Sequence, residues 1–351
     1  VESFFKSTAL VEVFMSRELT YAAITGWGYA IPPRLLTNAD LEQMVDTSDE
    51  WITTRTGIKE RHVLSEGESN FTFSLEASRQ ALALAGVKAA ELDLIIVGTC
   101  TPDFLFPSTG CLLQEALDAT HAGAFDLEAA CSGFMYSLSV ATQYINTGAY
   151  RNILVVGAET ITRFIDFTDR NTCVLFGDGA GAVVVQPSKN NEVAGLTSFR
   201  LGALGAGGRF LNIPAGGSRR PPTAETVANR EHYVKMQGSE LFKVAVRAMS
   251  DSADEVLKRE GLTINDIDLF IPHQANIRII EAVGKRLEVP AEKVWINIDR
   301  YGNTSSASVP ISICEAVAQG RLRPGMKVLV SVFGGGVTWV SGIIYWTGKQ
   351  A

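Results

Sequence analysis

The residues best suited to chemistry in this 351-residue chain are one cysteine, one histidine and one asparagine. Cys131 lies in Asp126-Leu127-Glu128-Ala129-Ala130-Cys131-Ser132-Gly133-Phe134, where small neighbours clear space around the sulfur. The spacing predicts a strand ending near Leu127, a tight loop, and a helix that starts at Cys131. Free amides and the dipole at a helix start favour a thiolate, the form that attacks. The cysteine's own amide can then help hold an oxyanion. His273 follows Leu269-Phe270-Ile271 in Pro272-His273-Gln274-Ala275-Asn276, and Asn303 follows Ile296-Asn297-Ile298 in Tyr301-Gly302-Asn303-Thr304-Ser305. Taken singly, each reads as structural: a small buried cysteine, a loop histidine, a loop asparagine. Only four histidines exist, so cysteine–histidine chemistry has a short list of candidates.

What gathers these three residues is an internal duplication. Gly86-Val87 followed by Ala90–Ile96 resembles Gly261-Leu262 followed by Asp266–Ile271, an offset of 175. Ala124–Leu127 answers Val294–Asn297, and Ile153–Gly157 answers Lys327–Ser331. Helical stretches at Ser74–Leu84 and Ser239–Glu260 precede the first pair, and amphipathic runs at 133–147 and 305–319 follow the second. The order strand, helix, strand implies βαβ crossovers and mainly parallel sheets with helices packed on them. An offset of 172 sets Asn303 opposite Cys131 across the repeat, with His273 on a third loop. The expected organisation is an extension at residues 1–19, one half at 20–190 and a second at 191–351.

Composition narrows the function classes. A chain that is 46% hydrophobic and 20% charged is not disordered, and a net charge of −7 argues against general nucleic-acid binding. The apolar runs Leu94–Val97, Ile153–Val156, Ala182–Val185 and Val328–Val332 are far shorter than the ~18–20 residues of a membrane span. Glu2 and Glu12 interrupt the hydrophobic start and no basic segment precedes it, which speaks against a signal peptide and for a cytoplasmic protein. The five cysteines form no C-x-x-C and no metal spacing. Cys100, Cys111, Cys173 and Cys314 are expected to be core residues. Gly177-Asp178-Gly179-Ala180-Gly181 leads into a strand-like run, which excludes a dinucleotide fingerprint. Gly334-Gly335-Gly336 follows a strand and allows positive φ and close approach of a backbone N–H to a substrate carbonyl.

These segments resemble the motifs of β-ketoacyl-acyl-carrier-protein synthase III, a thiolase-fold family. The resemblance rests on Ala129–Phe134, His273–Asn276, Tyr301–Ser305 and Phe333–Gly336, with Thr47–Trp51, Arg55–Ile58 and Phe176–Ala180 in support, and runs from about residue 22 to the end. It implies an α/β fold of two duplicated βαβ-based halves in α-β-α-β-α layers. The implied acyltransferase joins a short acyl-CoA, acetyl-CoA by default, to malonyl-acyl-carrier protein, giving 3-oxoacyl-carrier protein, CoA and CO2. Cys131 would carry the acyl group, His273 and Asn303 would stabilise the enolate, and the amides of Cys131 and Gly335 would form the oxyanion hole. Coenzyme A is then a substrate, and no metal or other cofactor is needed.

By the same resemblance, Thr47, Trp51, Arg55, Arg170, Phe242 and Asn276 contact coenzyme A. Asn171 departs from a common glycine and puts the nucleotide contacts there in doubt. An acidic carrier protein would dock on Lys243 and the segment Gln274, Ala275, Asn276, Ile277 and Arg278. Lys285 and Arg286 share one side of a helix over 277–288 with Arg278. Phe106 would line the partner subunit's acyl pocket in a homodimer, and its bulk leans towards a short primer. A papain-type protease shares the Cys-His-Asn order but lacks its local cysteine signature here. The closer alternative is a relative that condenses or transfers a different acyl group in secondary metabolism.

Overall fold

The computed structural model describes residues 20–348, so the expected extension at 1–19 lies outside the described residues. Nine strands form one mixed sheet: β1 (Ala22–Ala30), β2 (Leu94–Gly98), β3 (Gly123–Leu127), β4 (Ile153–Glu159), β5 (Gly179–Pro187), β6 (Gly195–Ala203), β7 (Leu269–Pro272), β8 (Lys327–Gly334) and β9 (Thr338–Tyr345). Their order is β7-β8-β9-β6-β1-β5-β4-β2-β3. Six helices matter below: α1 (Asp49–Thr56), α2 (Asn70–Ala85), α3 (Gly133–Asn146), α4 (Gly238–Glu260), α5 (Ile277–Arg286) and α6 (Ser308–Ala318).

The duplication is visible in the pairing. β2 and β4 are parallel, β5 returns antiparallel to β4, and β1 pairs antiparallel with β5. Likewise β7 and β8 are parallel, β9 returns antiparallel to β8, and β6 pairs antiparallel with β9. The halves meet where Ala22 pairs with Gly195 in parallel. Gly195 has φ +64, and a Cβ there would collide with the Ala22 carbonyl, so this seam needs glycine. Matched helices end alike: Gly86 and Gly261 cap α2 and α4 in the left-handed region at φ +67 and +66.

Alternate residues along each strand face opposite layers, which sorts the core into sheets of contacts. Ile96, Ile153, Val155, Val328 and Val330 face inward onto α3 and α6. Ile95, Val97, Leu154 and Val156 face outward onto α2, while Phe270, Leu329 and Ile343 face α4 and α5. Strands covered on both faces read as continuous apolar runs, as Ile153–Val156 does. The two central helices are enclosed nearly all round, which their sequences anticipate with few charges. The layers run α, β, α, β, α as expected. Among the described residues, no helix is long and apolar enough to cross a membrane.

Two expectations are corrected here. Val294–Asn297 forms no strand: only Val294 bridges to Phe270. The Gln274 side chain takes the place of a strand neighbour, donating to Trp295 O and accepting from the Asn297 amide. Also, not all of the other cysteines are core residues. Cys173 and Cys314 are buried, but Cys100 is intermediate and Cys111 exposed.

One buried cation braces the segments that will form the site. Arg61 is fully enclosed, and its guanidinium donates to Leu36 O, Asn38 Oδ1 and Val174 O. Burial pulls its pKa down to about 10, and it forms no ion pair among the described residues. Replacing it with methionine leaves three buried acceptors without donors. We expect Arg61→Met to lose roughly 2–4 kcal/mol of stability, read from urea unfolding. An unchanged unfolding midpoint would show that the brace is dispensable.

Candidate active site

A cavity of about 740 Å³ runs from exposed residues at its mouth to enclosed ones at depth. Cys131, His273 and Asn303 all line it and are 8%, 1% and 6% exposed. Trp51, Arg55 and Arg278 line it towards the surface. Phe242, Lys243, Ala275, Asn276 and the divergent Asn171 also border it.

The nucleophile loop is tight. Ala130 has φ +46, and its amide donates to Glu128 Oε1 at 2.9 Å. A single turn at Ala130–Ser132 then leads into α3. In the second half Ser305 has φ +50, its amide donates to Asn303 Oδ1 at 2.9 Å, and the turn Ser305–Ala307 leads into α6. The equivalence is therefore Glu128 with Asn303 and Cys131 with Ser306. The expected pairing of Asn303 with Cys131 is off by three residues, because the positive-φ residues and not the strands set the register. Both Cys131 and Asn303 still face the same cavity.

The expected thiolate is also corrected. Burial pushes the Cys131 thiol up to about 12, although the Ser305 hydroxyl and the amides of Cys131 and Gly335 face the sulfur and pull the other way. A helix-end field is worth about 0.3–1 kcal/mol, less than the 1.4 kcal/mol of one pH unit, so it does not offset the burial. Gly334 must be glycine for the strand to come this close, since a Cβ there would sit 2.8 Å from the Cys131 nitrogen. The left-handed conformation falls on Gly336, at φ +116.

His273 is held from behind, with Nδ1 2.7 Å from Ser308 Oγ at the start of α6. Burial pulls its pKa down to about 3, so the ring is neutral at neutral pH. Asn303 uses its oxygen on the Ser305 amide, which turns its nitrogen outward as a free donor. Sequence reasoning missed Ser308, Ser305 and the buried Glu159 near Cys131. A serine at the end of a motif or just past it carries no signal of its own, and Glu159 merely ends an apolar strand.

At the mouth, the Trp51 indole lies under two guanidiniums, Arg55 at 4.5 Å and Arg170 at 4.8 Å. Arg170 does not line the cavity itself and donates to Asp46 O at 2.7 Å. Thr47 lies just before α1, with its hydroxyl buried and without a hydrogen-bond partner. On the outer face, Arg278, Lys285 and Arg286 are exposed. Arg286 pairs with Asp251 at 2.5 Å and Lys243 with Glu240 at 3.0 Å, while Arg278 is in no ion pair among the described residues. Gln274 is removed from the expected docking face: it is 1% exposed and bonded internally. Ile277 packs against Gly57 and is only half exposed. Phe106 is 86% exposed, beside Leu105 at 89%. Among the described residues, no group of three or more His, Cys, Asp or Glu side chains is placed to hold a metal.

The chain is similar to known proteins over nearly its whole length. The family described as 3-oxoacyl-[acyl-carrier-protein (ACP)] synthase III matches residues 125–205, and its C-terminal counterpart matches 257–346. The β-ketoacyl-[acyl-carrier-protein] synthase III of Roseiflexus sp. (strain RS-1) is 57% identical over 327 residues, covering 93% of this chain and 99% of its own. The crystal structure of 3-oxoacyl-[acyl-carrier-protein] synthase III from Aquifex aeolicus VF5 superposes with a TM-score of 0.86 at 45% identity, covering 93% of this chain and all of its own. The priming β-ketosynthase of the R1128 polyketide biosynthetic pathway superposes with a TM-score of 0.87 at 35% identity, covering 95% and 98%. With identity this high across nearly the whole length, the chain belongs to the β-ketoacyl-[acyl-carrier-protein] synthase III family.

Proposed function

We propose that the protein is a condensing acyltransferase that joins a short acyl group from acyl-CoA to malonyl-acyl-carrier protein and so starts fatty-acid synthesis. The observation that carries this reading is the convergence of Cys131, His273 and Asn303 in one cavity with an aromatic and cationic mouth. Cys131 attacks the thioester carbon, the bond to the CoA sulfur breaks, and the acyl group rests on the enzyme. The amides of Cys131 and Gly335, which face the sulfur, would hold the oxyanion that forms beside it. Malonyl-carrier protein then enters. Neutral His273 and Asn303 donate to its thioester oxygen as CO2 leaves, and the enolate carbon attacks the acyl group. Water is kept from the enolate by burial of all three side chains.

The Trp51 face and the two guanidiniums suit the adenine ring and phosphates of coenzyme A. Phe242 and Asn276 line the cavity together with Trp51 and Cys131, whereas Thr47 does not line it. We expect Trp51→Ala to raise KM for acyl-CoA roughly 10- to 100-fold with little change in kcat, because the contact is made equally in ground and transition states. A drop in kcat alone would place Trp51 outside coenzyme A binding.

Arg278, Lys285 and Arg286 on α5, with Lys243 on α4, suit an acidic carrier protein. A homodimer fits the exposed Phe104, Leu105 and Phe106 and the unpaired outer edge of β3. The two halves at 20–190 and 191–351 act as one duplicated unit, and the reaction belongs in the cytoplasm. The test is to weigh the intact protein after exposure to a panel of acyl-CoAs, then add malonyl-carrier protein. A mass gain followed by 3-oxoacyl-carrier product supports the reading, and no gain with any acyl-CoA overturns it. Preference for a long or branched acyl group would instead favour a secondary pathway, like that of the polyketide-priming relative.

A further inference from the structure

Glu159 ends β4 with its carboxylate fully enclosed next to the nucleophile. Thr101 Oγ1 donates to it at 2.5 Å, the Cys100 amide at 3.2 Å and the Cys100 thiol at 3.4 Å. The Ser305 hydroxyl donates to it at 3.2 Å. It takes part in no ion pair among the described residues. Burial pushes its carboxyl up to about 7 in spite of these donors. The turn Ser305–Ala307 packs on the turn Ala130–Ser132, which sets the same Ser305 hydroxyl beside the Cys131 sulfur. Asn303 Oδ1 fixes Ser305 by its amide, in a left-handed conformation. One hydroxyl, with one hydrogen, thus stands between a thiol and a buried carboxylate that the condensation chemistry above leaves without a task.

We propose that Glu159, acting through the Ser305 hydroxyl, is the positioning residue for the Cys131 proton, taking it up on acylation and returning it on condensation. The inference rests on the acyl-Cys131 reading above. During acylation the Cys131 S–H proton passes to Ser305 Oγ as Ser305 passes its own to Glu159. The sulfur's electron pair forms the new S–C bond. The bond from the acyl carbon to the CoA sulfur breaks, and the CoA thiolate takes a proton from water. Glu159 stays protonated while the sulfur is acylated. When the enolate carbon bonds to the acyl carbon, the C–S bond to Cys131 breaks. The thiolate then takes the Ser305 proton, and Ser305 takes one from Glu159. The count closes over one turnover, with Glu159 a carboxylate again.

The device has a pH signature. Acylation needs Glu159 as a carboxylate, so its rate climbs as pH rises through about 7 and then levels. The titratable groups facing Glu159 are the Cys100 and Cys131 thiols, both pushed up by burial and so protonated over this range. Glu128 stands beyond Cys100, and His273 in the cavity is neutral throughout.

The test measures single-turnover acylation of Cys131 by acetyl-CoA, from intact mass, at about pH 5.5 to 9 in wild type, Glu159→Gln and Ser305→Ala. Both variants should be roughly 100-fold slower at neutral pH and should keep rising with pH where wild type has levelled. Alkylation of Cys131 by iodoacetamide without CoA should show the same contrast. That second readout separates the two readings: wild type failing with every acyl-CoA sinks the condensing function, while the alkylation profiles still judge the relay. Should circular dichroism show Glu159→Gln unfolded, Ser305→Ala decides alone. Wild-type rates with a wild-type pH profile in the folded variants would overturn the proposal.

Discussion

Cys131→Ala should abolish the acyl-enzyme: no mass gain with any acyl-CoA, and condensation slower by at least about four orders of magnitude. The effect is large because no other thiol can take over. Cys173 and Cys314 are buried, with burial pushing both thiols up. Cys100 is held as a thiol against Glu159, and Cys111 is exposed but does not line the cavity. Cys131→Ser keeps a nucleophilic atom of similar size in place. It should retain the fold and cavity while its far less ionisable hydroxyl acylates only in trace amounts. Unfolding curves of both variants should match wild type within about 1 kcal/mol, since each change removes or swaps one small atom. A full mass gain in Cys131→Ala, mapped by peptide digestion to Cys100 or Cys111, would move the acyl site and refute the assignment.

How far the sequence carries the reading depends on what each residue signals locally. The strand runs around Leu94, Ile153, Leu269 and Val328 were legible because buried parallel strands leave continuous apolar stretches, and their spacing revealed the repeat. Cys131 was legible from its small neighbours and the helix after it. Its protonation was not, because that depends on how many distant chain segments enclose the sulfur. Asn303 was found, yet matched to the wrong partner. The repeat is counted correctly from Ala130 and Ser305, and a left-handed φ at alanine or serine leaves no mark in the sequence. Gln274 illustrates the opposite failure. The resemblance set it on the carrier-protein docking face, but its amide replaces the missing strand beside Trp295 and Asn297. Glu159 ends a fully buried strand, and only the fold brings Ser305 to it across a separation of 146 residues.

His273→Ala and Asn303→Ala should each still acquire an acyl group on Cys131 but lose malonyl decarboxylation by roughly 10²–10³-fold. The split follows from where each donor points. Ser308 Oγ occupies Nδ1 of His273, and with that hydroxyl donating, Nε2 carries the hydrogen towards the cavity. The Ser305 amide occupies Oδ1 of Asn303, so Nδ2 is its free donor. Neither group supplies the amides of Cys131 and Gly335 that face the sulfur, so acylation keeps its oxyanion hole. Decarboxylation, by contrast, places negative charge on the malonyl thioester oxygen, and two neutral donors in a buried site stabilise it without reorganisation. Because both serve one oxygen, the double variant should fall by less than the product of the single losses. The pH dependence carries the sign: a ring whose pKa burial holds near 3 stays neutral from pH 8 down to pH 5. The decarboxylation step should therefore show no loss from His273 protonation over that range. The measurement is CO2 release from malonyl-carrier protein beside intact-mass acylation of the same samples. Undiminished release in both variants would remove the enolate role. Equal loss of acylation would show that the two side chains hold the nucleophile loop and not the enolate.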